Sequence, residues 1–213
     1  MRCDKKDLLL YGVTDRSWLG DRTLAQQVEA SLRGGATMIQ LREKHMDRGS
    51  ILAQALELRE LCGRYGVPLI LNDDAELAQA AGADGVHVGQ SDMEAGRVRA
   101  LLGEDKLIGV SARTVEQALA AQAAGADYLG VGAMFPTGTK QDTRPVSYDT
   151  LKAICAAVDI PVVAIGGIGA GNVAELAGSG IAGVAVVSAL YAQPDVEAAT
   201  RSLRAQVDRV VGP

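Results

Sequence analysis

The sequence predicts a closed (β/α)8 barrel, an α/β fold in a single domain, and three observations carry that prediction. Eight short apolar runs recur along the 213 residues, each followed by a helical period. The runs do not alternate in polarity, as expected of parallel strands buried on both faces and covered by helices. Helical stretches stop on a recurring signature, Gly34-Gly-Ala36, Ala81-Gly-Ala-Asp84 and Ala124-Gly-Ala-Asp127, with glycine in the usual left-handed stop. Eight units in a chain of this length favour closure over an open doubly wound sheet. The Gly-x-Gly-x-x-Gly opening of the open sheet is absent after the first strand.

In chain order, Leu8 to Thr14 reads as the first strand, Asp15 to Asp21 as a loop, and Thr23 to Gly34 as a helix by its period. Met38 to Arg42 is the second strand and Ser50 to Tyr65 a long helix. Val67 to Asn72 is the third strand, with a short helix over Asp74 to Ala81. Gly85 to Gly89 is the fourth, with a helix over Met93 to Leu102. Lys106 to Ser111 is the fifth, with a helix over Val115 to Ala124. Tyr128 to Ala133 is the sixth, followed after a loop by a helix over Tyr148 to Val158. Pro161 to Gly166 is the seventh, with a helix starting near Asn172. Gly183 to Val187 is the eighth, and Asp195 to Val210 the last helix.

In such a barrel the active site lies at the C-terminal ends of the strands, and polar residues gather there. The loop Gly132-Ala-Met-Phe-Pro-Thr-Gly-Thr-Lys140 holds two hydroxyls (Thr137, Thr139), the pliant Gly138 and the cation Lys140. Close backbone approach, hydroxyls and an ammonium all suit phosphate oxygens, although this is not a Walker A loop. Arg42, Lys44 and Lys140 are cations able to converge on a multiply charged anion. Asp73 and Asp92 end neighbouring strands and suit Mg²⁺, which takes one or two carboxylates besides phosphate and water. Gly166, Gly167 and Ser188 follow the seventh and eighth strands, where these barrels often hold a phosphate on backbone N–H groups. Together these groups read as one site for two phosphorylated ligands. Plainer readings compete residue by residue. Asp73 precedes a helix and would serve as its N-cap, as would Asp74. Gly166 and Gly167 fit a tight turn, and Arg42 and Lys44 an exposed charged run. His87, between Val86 and Val88, reads as a satisfied core histidine, and Glu43, His45 and Asp47 as surface.

The net charge of −5 and the lack of a basic tract argue against a nucleic-acid partner. Cys3, Cys62 and Cys155 lie far apart without metal-type spacing, as expected of free thiols in a reducing compartment. The N-terminus is charged rather than signal-like, and no apolar run approaches the roughly 18 residues of a membrane span. A soluble cytoplasmic protein is the expectation.

Taken together, Tyr11-Gly-Val-Thr-Asp15, Gln40-Leu-Arg-Glu-Lys44, Leu71-Asn-Asp-Asp74, Gly85-Val-His-Val-Gly-Gln-Ser-Asp92, Gly109-Val-Ser111, Gly132 to Lys140 and Ala164-Ile-Gly-Gly167 resemble the thiamine phosphate synthase family. These stretches span nearly the whole chain in order; the set is specific, whereas no single stretch is. The resemblance implies a barrel transferase that joins 4-amino-2-methyl-5-hydroxymethylpyrimidine diphosphate to a thiazole phosphate, with Mg²⁺ as cofactor and room for a homodimer. It implies that Gln40, Arg42, Lys44, Asn72, Ser111 and Lys140 hold the pyrimidine diphosphate, with Lys140, Arg42 and Ser111 closest to catalysis. It further implies that Asp73 and Asp92 bind Mg²⁺ and that Thr137, Thr139, Gly167, Val187 and Ser188 hold the thiazole phosphate. Arg113 departs from the family pattern, which often has histidine after Ser-Ala. The residues agree with that chemistry: diphosphate leaves well once neutralised, and the thiazole nitrogen attacks without a proton to lose, so no strong general base is required. A thiazole tautomerase or regulatory relative on the same fold is the alternative, and retention of Asp73, Asp92, Arg42 and Lys140 together weighs against it. A barrel-type phosphosugar isomerase lacks its acid/base pair here.

Overall fold

Eight parallel strands close on one another in chain order, the eighth pairing back onto the first. They are β1 (Leu10–Val13), β2 (Met38–Leu41), β3 (Leu69–Asn72), β4 (Gly85–Val88), β5 (Leu107–Ala112), β6 (Tyr128–Gly132), β7 (Val162–Ile165) and β8 (Gly183–Val186). Around them lie α1 (Leu24–Arg33), α2 (Arg48–Tyr65), α3 (Ala75–Ala81), α4 (Ala95–Leu102), α5 (Val115–Ala123), α6 (Tyr148–Ala157), α7 (Ser188–Tyr191) and α8 (Val196–Val211). This is a computed structural model, and it describes residues 3–90, 92–138 and 145–212.

Local chemistry sets the helix starts. Thr23 and Gln26 form a reciprocal capping box at α1. The side chains of Asp47, Asp74, Thr114, Ser147 and Asp195 each accept a backbone N–H in the first turn of their helix, filling donors that a helix leaves open. The repeated Ala-Gly-Ala-Asp signature has a second use beyond stopping helices. Asp84 Oδ2 accepts from the Leu69 N–H at 2.8 Å and Asp127 Oδ2 from the Ile108 N–H at 2.8 Å, and Thr37 takes the same place after Gly34-Gly-Ala36, its Oγ1 accepting from the Leu10 N–H at 2.9 Å. The residues that lead into β2, β4 and β6 thus each accept a backbone N–H from the start of the strand before.

Alternation along the strands produces two cores. Outward-facing residues such as Leu10, Ile39, Leu71, Val86, Ile108, Leu129, Ala164 and Val184 pack with the helices. Inward-facing residues, among them Tyr11, Met38, Ile70, Leu107, Tyr128 and Val163, form a separate cluster along the barrel axis.

Two elements differ from the sequence expectation. Leu8 lies in a 3-10 turn (Lys5–Leu8) ahead of β1 rather than in the strand. The helix expected near Asn172 is a single 3-10 turn, Val173–Leu176. Glycine brackets that turn, with Gly169 and Gly171 before it and Gly178 and Gly180 after it at φ +76° and +90°, which leaves too few residues for a stable α-helix. The short α7 was not foreseen. Val187 O accepts from both Leu190 and Tyr191, and the buried Tyr191 ring anchors it, its hydroxyl 3.3 Å from Ser31 Oγ.

Candidate active site

One cavity opens at the C-terminal end of the barrel. Gln40, Arg42, Asn72, Ser111, Thr137, Gly167, Val187 and Ser188 all line it. They come from β2, β3 and β5, from the loops after β6 and β7, and from the end of β8, so residues up to 148 positions apart (Gln40 and Ser188) share one wall system. Arg113 lines it too and adds a cation. Thr139 and Lys140, the remainder of the hydroxyl and lysine loop, lie outside the described residues.

Arg42 is set by its backbone: its N–H donates to Thr14 Oγ1 at 3.0 Å, and Thr14 is itself buried at the end of β1. On the far side, Gly167 has φ +66°, and a Cβ there would collide with the backbone carbonyls of Phe135 and Pro136. Only glycine lets the loop after β7 lie this close beneath the loop after β6. Asn172 pins the same loop, donating to Gly167 O at 2.9 Å and accepting from the Gly169 N–H at 2.9 Å. Ser188 opens α7, whose first N–H groups have no intrahelical acceptor.

The N-cap role is taken by Asp74, whose Oδ1 accepts from the Leu77 N–H at 2.8 Å. Asp73 is thereby released from that duty and holds φ +66°, the one left-handed non-glycine conformation among the described residues. Such backbone persists where the surroundings enforce it. Asn72 Nδ2 donates to Asp73 Oδ2 at 2.6 Å. The carboxyls of Asp73 and Asp92 also meet. Burial, then the charge of Asp92 and the hydrogen bond between the two, raise the Asp73 carboxyl above its ordinary value, and Lys44 opposes the shift. Asp92 Oδ2 additionally accepts the Gly89 N–H at 2.6 Å, which holds it at the end of β4. Asp73, Asp92 and Lys44 stand beside the cavity rather than in its lining. No group of three His, Cys, Asp or Glu side chains able to hold a metal is found among the described residues. Two carboxylates forced together fit a hard divalent cation that takes its other oxygens from a ligand and water.

One reading made from the sequence needs correction. Glu43 is not on the surface: its side chain is 5% exposed and ion-paired with Arg16 Nε at 2.6 Å. Burial raises its carboxyl above the ordinary value, and Arg16 works against that. The sequence hid this because the partner comes from the first loop, far upstream. His87 has both ring nitrogens engaged, as a core histidine would, yet it also lines the cavity. Tyr11 lines it as well. Tyr11 and Tyr128, 0–1% exposed, each sit in an otherwise apolar strand, which hides them from a reading of polar strand ends.

Comparison with known proteins gives a consistent picture. A family model described as thiamine monophosphate synthase matches residues 10–190. The thiamine-phosphate synthase of Ruminiclostridium cellulolyticum is 48% identical over 199 residues, covering 93% of this chain and 95% of that protein. The thiamine-phosphate synthase of Chloroflexus aurantiacus is 50% identical over 202 residues, covering 94% and 93% respectively. Among solved structures, the thiamine phosphate pyrophosphorylase of Pyrococcus furiosus superposes with a TM-score of 0.90 at 38% identity, covering 98% of this chain and 99% of that one.

Proposed function

The chain belongs to the thiamine monophosphate synthase family, and we propose that its barrel mouth joins an aminopyrimidine-methyl diphosphate to a thiazole phosphate, giving thiamine phosphate and diphosphate. The observation that carries this reading is the convergence on one cavity of Gln40, Arg42, Asn72 and Ser111 with Gly167 and Ser188, beside the paired Asp73 and Asp92. Polar and cationic groups of β2, β3 and β5 line the cavity together with the glycine loop and the α7 start, which supports separate places for two anions.

In the reaction, the C–O bond between the pyrimidine methylene and the diphosphate breaks, and the diphosphate leaves with the electron pair. The thiazole nitrogen supplies the pair for the new C–N bond and loses no proton. The chain's part is electrostatic and positional. Arg42, with Lys44 and Lys140, bears on the negative charge that grows on the leaving oxygens. Gln40, Asn72 and Ser111 orient the pyrimidine portion. Thr137, Thr139, Gly167, Val187 and Ser188 hold the thiazole phosphate so that its nitrogen faces the methylene carbon. Asp73 and Asp92 would hold Mg²⁺, whose chemistry here is neutralisation of the diphosphate. No helix among the described residues is long and apolar enough to cross a membrane. A cytoplasmic setting belongs to the same proposal and is supported by the three free cysteines.

The test is an assay of the purified chain with both substrates and Mg²⁺, scored for thiamine phosphate. Product that depends on both substrates and vanishes with excess chelator is the expected result. Undiminished rates in chelator would remove the metal role, and absence of product would remove the reading.

A further inference from the structure

A row of polar side chains crosses the barrel interior from one wall of the cavity to the other. Gln40 Nε2 donates to the Tyr11 hydroxyl at 2.7 Å. The Tyr11 and Tyr128 hydroxyls are 3.0 Å apart. The Tyr128 hydroxyl is 3.2 Å from His87 Nδ1, and His87 Nε2 is 3.0 Å from Ser111 Oγ. Room for this row is built into the backbone. A Cβ at Gly109 would strike both the Tyr128 ring and His87 Nδ1, and one at Gly130 would press on His87 Cε1.

Proton counting gives the row one direction. A tyrosine hydroxyl has a single proton. Tyr11 already accepts from Gln40. Were it to accept from Tyr128 as well, its own buried proton would have no acceptor among the described residues, at a cost of about 1–3 kcal/mol. Tyr11 therefore donates to Tyr128, and Tyr128 donates to His87 Nδ1. An imidazole that accepts at Nδ1 is neutral and carries its proton on Nε2, which then donates to Ser111 Oγ. Burial raises both tyrosine hydroxyls well above their ordinary value, so neither gives up its proton near neutral pH.

We infer that Tyr11, Tyr128 and His87 are positioning residues, a one-way hydrogen-bond chain that turns the Ser111 hydroxyl proton toward the cavity and leaves the Gln40 carbonyl oxygen as an acceptor on the opposite wall. The inference rests on the functional reading above and refines it. The cavity demands a ligand that offers a donor to Gln40 and an acceptor to Ser111, and an exocyclic amine in a molecule that also carries ring nitrogens and phosphate oxygens meets that demand. An oxo group in place of the amine accepts where the wall also accepts, and is rejected.

The chain has two histidines, so a ¹⁵N-histidine-labelled full-length protein carrying His45→Gln has His87 as its single imidazole reporter. Its ring-nitrogen shifts near neutral pH are expected to show the Nε2–H form, and Tyr128→Phe should admit the Nδ1–H form. In parallel, calorimetry with Mg²⁺ compares the aminopyrimidine diphosphate with the matching 4-oxo compound. Wild type should favour the amine by about tenfold or more, the scale of one mismatched buried hydrogen bond. Tyr128→Phe should reduce that preference and raise KM for the pyrimidine substrate about tenfold, with KM for the thiazole phosphate unchanged. Tyr11→Phe cuts the same row one link earlier and should act alike if Tyr128→Phe folds poorly. An Nδ1–H or doubly protonated His87 in the wild type, or equal binding of amine and oxo compounds, would overturn the inference. An enzyme that makes thiamine phosphate with His87 in the wrong form leaves the function standing and this chain refuted. An Nε2–H signal in a protein that makes no product does the reverse.

Discussion

The two faces of the same eight strands have been put to different uses. The outward face is apolar from bottom to top: Leu69 and Leu71, Val86 and Val88, Ile108 and Val110, Leu129 and Val131 all lie in the core shared with the helices. The inward face changes character along its length. Met38 gives way to Gln40 two residues on, Ile70 to Asn72, and Leu107 to Ser111 by way of Gly109. Two residues of strand amount to about 6.6 Å, so one inward step on β2 and β3, and two on β5, separate a packed interior from polar side chains. Stability is therefore expected to reside in the outward face and chemistry in the upper inward face, with Tyr11, Tyr128 and His87 on the boundary.

That division can be broken at either end. The largest effect should come from the outward face. Leu71 is 2% exposed and packed beneath the helices. Leu71→Ala removes buried area and leaves a cavity, at a cost of about 2–5 kcal/mol of stability. Urea titration should show the midpoint falling, while both KM values of the folded variant stay near wild type. A variant of normal stability and altered KM would mean that the two faces are not separable. Next comes Arg42 on the upper inward face, which has no carboxylate partner among the described residues. Arg42→Ala should lose on the order of 10²–10³-fold in kcat, the scale of one preorganised electrostatic group, with little change in urea midpoint. A loss confined to KM would show that Arg42 binds the ground state and transition state equally.

How much of this was readable beforehand follows from the same division. The outward face dictates the apolar runs and the helical periods, so strands and most helices were legible to within a residue or two. The glycine-bracketed turn at Val173–Leu176 and the short α7 were not, because four residues carry too little periodicity to register. The strand-end residues Gln40, Arg42, Asn72 and Ser111 were legible because a polar side chain ending an apolar run stands out. Asp73 was ambiguous with Asp74 until the backbone decided which one caps α3. The row through Tyr11, Tyr128 and His87 was hidden because its members are up to 117 positions apart and meet only when the barrel closes.

Glu43 offers the smallest and sharpest test, since it is a carboxylate at the functional end that behaves as part of the packed interior. Burial is the dominant influence on it and raises its carboxyl above the ordinary 4.5, against the pull of Arg16. The sign follows from linkage. Well below 4.5 the group is protonated in both folded and unfolded chains and makes no difference to stability. As pH rises from there to the higher folded value, the unfolded chain releases its proton first, and folding becomes less favourable. Above the folded value the penalty is complete and constant. Glu43→Gln cannot ionise, so wild-type stability measured relative to this variant should fall as pH rises through that window and then level off. Arg16→Met should widen the window upward, because it removes the cation that holds the carboxyl down. Urea midpoints for the three proteins, taken at closely spaced pH values from about 4 to 8, would resolve it. A wild-type-to-variant difference that stays flat across the range would show that Glu43 ionises as freely when folded as when unfolded, and would return it to the solvated surface.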